Sequence, residues 1–150
     1  MLRSLVGSEM CIRDSYRANE PAELVKRQQE IWNPYIDRWK SLLGVSLRTT
    51  AGIIAVTQSD EAIGAARAYL EAMTSEQLIG VKAATEISGS AVLVFALAND
   101  PDQRDDIFAA SRLDELFQEE RWGVDNEAKE REQNMRRDFM AAARFLSFTS

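Results

Sequence analysis

The chain has 150 residues, 45% hydrophobic and 28% charged, with a net charge of -6. This length suits one domain with a core, because a chain of this size buries roughly two thirds of its unfolded surface. The acidic balance speaks against a nucleic-acid partner, which needs a basic stripe, and against an anionic membrane surface. The absence of histidine, with one cysteine at Cys11, removes Ser-His and Cys-His nucleophile pairs, histidine bases, thiolate or imidazole metal sites and an internal disulfide.

Residues 1–15 have neither a secretory signal's basic and apolar regions nor the acid-poor character of a transit peptide, and are too polar to span a bilayer. They resemble a translated sequencing-adaptor artefact, so the expected native domain is 16–150 and Cys11 lies outside it. Helical periodicity dominates from Tyr16 onward. Pro21 opens the first helix. Leu24, Gln28, Ile31, Trp32, Tyr35, Trp39, Leu42 and Leu43 share a face, and Asn33-Pro34 implies a kink or two helices in series. Gly44 is a natural terminator.

Val45 and Leu47 alternate with Ser46 and Arg48, and an apolar run follows at 53–56. This predicts a minor β-hairpin near 45–57. Ser59-Asp60 precede a helix over about 61–73. Thr74 and Gln77 form a capping box for the next, over about 75–98. Between Leu78 and Ala98 its only charges are Lys82 and Glu86, which reads as the central helix of a bundle. Asn99-Asp100-Pro101-Asp102 is a break. A helix over about 104–122 ends at Gly123, and the last covers about 125–148. The predicted fold is mainly α, an orthogonal bundle of about five helices.

On a continuous 104–122 helix, Phe108, Arg112, Glu115, Glu119 and Trp122 share one face. Carboxylates at i and i+4 work as an acid–base pair only if burial separates their pKa values. With Arg112 three residues before Glu115, an ion pair or a partner-binding face is the expected role. Lys82 and Glu86 read as a solvated pair or the lining of a groove. Ser88-Gly89-Ser90 matches neither a phosphate loop nor a nucleophile elbow and reads as a close-packing point. Trp32, Trp39 and Trp122 are core anchors by default, and any of them on the surface is a binding hot spot.

Several segments together resemble one family. They are Tyr16-Arg17-Ala18, Pro21-Ala22-Glu23-Leu24-Val25, Arg27-Gln28, Trp32-Asn33-Pro34 and Ser88-Gly89-Ser90-Ala91-Val92-Leu93. Most specific are Ser111-Arg112-Leu113-Asp114-Glu115, Phe117-Gln118 and Arg121-Trp122-Gly123, and Ala142-Ala143-Arg144-Phe145-Leu146 closes the set. The chain resembles the helical domain of the F1-ATP synthase assembly chaperones dedicated to the alpha subunit, of mitochondria and alphaproteobacteria.

The resemblance implies a chaperone that holds the free alpha subunit until the beta subunit replaces it, with no catalysis, cofactor or metal. It implies a β-rich domain upstream, which this sequence lacks, and working acidic residues at Asp114 and Glu115. Leu116 departs from the commonly acidic residue of relatives. The expected partner-binding set is Arg112, Asp114, Glu115, Glu119 and Trp122. The expected protein is a monomer without membrane insertion, in the bacterial cytoplasm or the mitochondrial matrix. Competing readings are a generic helical adaptor or oligomerisation domain and a carboxylate-based hydrolase; the latter requires a pocket holding a desolvated carboxylate.

Overall fold

The computed structural model describes residues 16–51 and 58–149. Among these, seven α-helices are present: α1 (Ala22–Leu43), α2 (Asp60–Glu71), α3 (Ser75–Ser88), α4 (Ala91–Asn99), α5 (Arg104–Ser111), α6 (Leu113–Trp122) and α7 (Asn126–Thr149). A 3-10 turn, Pro101–Gln103, joins α4 to α5. The mainly helical class follows from the periodicity, but two of the five expected helices are each divided.

α1 buries Leu24, Gln28, Trp32 and Trp39 along one stripe. Pro34 lies inside it on the solvent side, and the helix is continuous through it. It ends at Gly44, whose φ of 75° is one that glycine adopts without strain. The Gly44 N–H donates to the Lys40 carbonyl at 2.8 Å.

The first strand of the expected hairpin is not formed among the described residues. Residues 45–49 carry no regular structure, and Thr50–Ala51 pairs in parallel with Tyr16–Arg17 instead. Both strands are two residues long, too short for a sheet with its own core. Gln58 holds the course of this segment. Its side-chain amide accepts the Arg48 N–H at 3.0 Å and donates to the Arg48 carbonyl at 2.9 Å. The apolar run at 53–56 and the expected artefactual leader lie outside the described residues.

α2 starts where Ser59 Oγ accepts the Ala62 N–H at 3.1 Å. α3 starts at the capping box. Thr74 Oγ1 accepts the Gln77 N–H at 3.2 Å, and Gln77 Oε1 accepts the Thr74 N–H at 2.9 Å. The expected 75–98 helix is broken at Gly89-Ser90. Gly89 has φ 71° and donates to the Thr85 carbonyl at 2.8 Å, while Ser90 Oγ caps α4 through the Leu93 N–H at 3.1 Å. The break lets α4 turn into the centre, where residues 91–97 are all buried and the helix packs against α1, α3, α5 and α7. Trp39 stacks on Phe95 at 4.9 Å between ring centroids, with Tyr69 on the same ring at 4.8 Å. Lys82 and Glu86 form an i,i+4 pair at 3.5 Å, both well exposed, so the pair contributes little stability.

α7, capped by Asp125 accepting the Ala128 N–H at 2.7 Å, lies along α3. Gly80 makes this close approach possible. A Cβ there would fall 2.8 and 2.9 Å from Leu146 Cδ2 and Cγ, and 3.1 Å from Phe145 Cδ1. Phe145 is partly exposed and can swing away, but Leu146 is buried. Overpacking costs about 1–3 kcal/mol, against about 1 kcal/mol of helix propensity gained. Gly80→Ala is therefore expected to lower the unfolding free energy by about 1 kcal/mol in urea titration. An unchanged or raised midpoint would show that α3 and α7 move apart freely.

Candidate functional site

The acid-rich segment from Asp114 to Glu120 folds within α6, held to the bundle on three sides. Leu113 and Phe117, one turn apart, are buried and anchor it. Arg27 of α1 and Arg121 of α6 lie over the Phe117 ring, with guanidinium carbons 5.4 and 4.7 Å from its centroid. Arg27 pairs with Glu120 at 2.8 Å and Glu23 at 3.0 Å. Its hydrogen bond with Glu120, and secondarily that with Glu23, raises the guanidinium's pKa above the ordinary arginine value. Asp114 accepts from Gln28 Nε2 of α1 at 2.8 Å. On the other flank Arg112 reaches Glu115 at 3.7 Å and Glu132 of α7 at 3.8 Å.

The helix begins at Arg112, whose φ of -102° and ψ of 11° separate it from α5. The residues before it are fixed both from α1 and within α5. Trp32 Nε1–H donates to the Ala110 carbonyl at 2.8 Å, and Ser111 Oγ donates to the Phe108 carbonyl at 2.6 Å. Phe108 is buried against Phe139 of α7, with ring centroids 5.4 Å apart. The expected continuous face from Phe108 to Trp122 is therefore interrupted at Arg112.

α6 presents Glu115, Glu119 and Trp122 on one helical face. Trp122 is 81% exposed, whereas Trp32 and Trp39 are core residues. After it the chain turns at Gly123, with φ 81°, and exposes Val124. An indole and an isopropyl group in water, beside Glu119 and Asp125, form an apolar contact with an acidic rim.

Between α1 and the α5–α6 corner lies a groove of about 750 Å³, with Ile31, Tyr35, Leu113 and Leu116 among its apolar lining and Asp106 and Glu120 among its polar lining. Both carboxylates are exposed, so neither is desolvated as an acid–base role requires. Glu115 and Glu119 are not among its lining residues. No cluster of three metal-ligating side chains occurs among the described residues. None of the described helices is long and apolar enough to cross a membrane.

This arrangement matches solved structures over the whole chain. Atp12 from Paracoccus denitrificans superposes with a TM-score of 0.92 at 31% identity, covering 99% of this chain and 64% of that one. An aspartate-to-lysine point mutant of the Paracoccus protein gives 0.90 at 31% identity, over 100% and 63%. The Atu1473 protein of Agrobacterium tumefaciens, a candidate chaperone, gives 0.82 at 33% identity, over 99% and 54%. The chain belongs to the Atp12 assembly-chaperone family. It spans less than two thirds of each of these relatives. No family model and no curated protein matches the sequence.

On this Atp12-family helix the five sequence-derived site residues divide by direction. Arg112, its side chain 14% exposed, brackets α6 against α7, and Asp114 points to α1 through Gln28. Trp122 faces outward, and Glu119 beside it is partly exposed. Glu115 stands between, paired with Arg112 yet partly exposed. Two features escaped the sequence reading. The groove is assembled from helices distant in the chain, and no local pattern announces it. Gln28 carried one signal, a polar residue within an otherwise apolar stripe.

Proposed function

We propose that the chain is the helical client-binding part of an assembly chaperone for the F1 sector of ATP synthase, which holds the free alpha subunit until the beta subunit replaces it. The observation that carries this reading is the outward indole of Trp122 on the same face as Glu115 and Glu119, in a helix braced on three sides. A chaperone of this kind needs a preformed apolar anchor and a charged rim that sets orientation and permits release, and needs no nucleophile. The sequence resemblance names the alpha subunit as client, and membership of the Atp12 family supports it. In this reading the protein works as a monomer, in the cytoplasm of a bacterium or the matrix of a mitochondrion.

The test is co-elution of the full chain with isolated alpha subunit on size exclusion, followed by addition of beta subunit. A complex that beta subunit dissolves is the expected result; its absence, or persistence in the presence of beta subunit, would overturn the reading. Glu119→Lys adds an orientation test. It is expected to weaken alpha-subunit binding severalfold at low salt, with the difference shrinking as salt rises, because rim charges act through steering. Equal affinity across salt concentrations would remove Glu119 from the contact.

A further inference from the structure

Gln28 is 2% exposed within the apolar stripe of α1, where an amide costs free energy unless its polar atoms are bonded. Both ends are bonded, to different parts of the fold. Oε1 accepts the Ala18 N–H at 2.8 Å, and Nε2 donates to Asp114 Oδ1 at 2.8 Å. Arg17 reinforces the same corner. It donates to the Gln28 backbone carbonyl at 3.3 Å and lies over the Trp32 ring at 5.4 Å. One side chain thus joins the segment leading into α1, α1 itself and the first turn of α6, across 86 residues of sequence.

The chemistry of the two partners dictates the amide. A backbone N–H only donates and an ionised carboxylate only accepts, so the residue between them must accept on one side and donate on the other. Leucine does neither. Glutamate would accept from Ala18 but confront Asp114 with a second negative charge.

We infer that Gln28 is a positioning residue. Its amide fixes α6 against the segment at 17–18 and so sets the direction in which the Glu119–Trp122 face is presented. The consequence for client binding rests on the proposed function; the link itself does not.

Reversing the polarity of the link tests it. In Q28E the donor to Asp114 is lost. In D114N the new amide can still turn its oxygen to Gln28. In the double variant the amide introduced on α6 donates to the carboxylate introduced on α1. That carboxylate still accepts from the Ala18 N–H, and the net charge beside Arg17 is unchanged. Amide hydrogen exchange of the full chain is read at Ala18 and at Leu116 and Phe117. Q28E is expected to speed exchange about tenfold or more at both places, D114N less than about threefold, and the double variant to return within about threefold of the parent. Unchanged protection in Q28E, or no recovery in the double variant, would overturn the link. If Q28E fails to fold, folding of the double variant supports the link and failure of both overturns it. Affinity for isolated alpha subunit is measured on the same proteins and should follow the exchange pattern. If the parent binds and Q28E binds equally well, the positioning role is wrong. If the parent does not bind, the proposed function falls while the exchange data still decide the link.

Discussion

Replacing Trp32 with alanine is expected to remove about 3–5 kcal/mol of unfolding free energy, the cost of truncating a buried tryptophan. The indole is 1% exposed, so the deletion opens a cavity with no solvent-facing side through which to collapse. It also removes the Nε1–H donor at 2.8 Å from the Ala110 carbonyl; losing the partner of a buried acceptor costs about 1–3 kcal/mol of itself. A domain is stable by only about 5–15 kcal/mol, so this change takes a large share. Trp32→Phe separates the two contributions, keeping most of the aromatic volume and losing only the donor. It should fall between the parent and the alanine variant. Equilibrium urea unfolding followed by circular dichroism measures all three without relying on tryptophan emission. A loss below about 1 kcal/mol for Trp32→Ala would mean that the α1–α5 contact is not where the bundle closes. Because Ala110 stands two residues before the turn into α6, the truncation should also loosen the helix that carries the outward face.

How far the sequence led depended on whether a feature was made locally. Thr74 and Gln77 cap α3 through each other, and Gly44 terminates α1 in a left-handed conformation. These contacts lie within four residues and were legible for that reason. Gly89-Ser90 had the same local signature, a terminating glycine followed by a capping serine. The apolar run on both sides outweighed it and gave one helix where the chain forms two. The division at Arg112 had no local sign, since neither glycine nor proline is near it. It is held by Trp32 on Ala110 and by Arg112 on Glu132, both contacts from other helices. The first strand of the expected hairpin is missing for a similar reason, because Thr50–Ala51 pairs with Tyr16–Arg17, on the far side of α1 in the sequence. At the site, periodicity correctly put Glu115, Glu119 and Trp122 on one face. It did not reveal which carboxylates were engaged inward, because the Gln28 amide that binds Asp114 comes from another helix. Family resemblance pointed to Asp114 and Glu115 together; the packing separates them.

On the proposed function, replacing Trp122 with alanine should have the opposite signature to Trp32: alpha-subunit affinity reduced by at least tenfold, with the urea midpoint unchanged. A tenfold loss corresponds to about 1.4 kcal/mol, and tryptophans at the centre of protein interfaces commonly exceed that when truncated. Stability should hold because the side chain is 81% exposed, so its removal leaves no cavity and exposes no buried partner. The backbone of the turn is set by Gly123, whose N–H donates to the Glu119 carbonyl at 2.8 Å, and that bond survives the substitution. Val124→Ser is a graded companion, since it removes a smaller exposed apolar group from the same turn and should cost less affinity. Titration against isolated alpha subunit by calorimetry, with urea unfolding on the same preparations, separates binding from folding. If Trp122→Ala binds as tightly as the parent, the outward indole is not the anchor, and the apolar groove between α1 and the α5–α6 corner becomes the surface to mutate next. If instead it loses stability, Trp122 is braced by the fold and its exposure does not mark a contact surface.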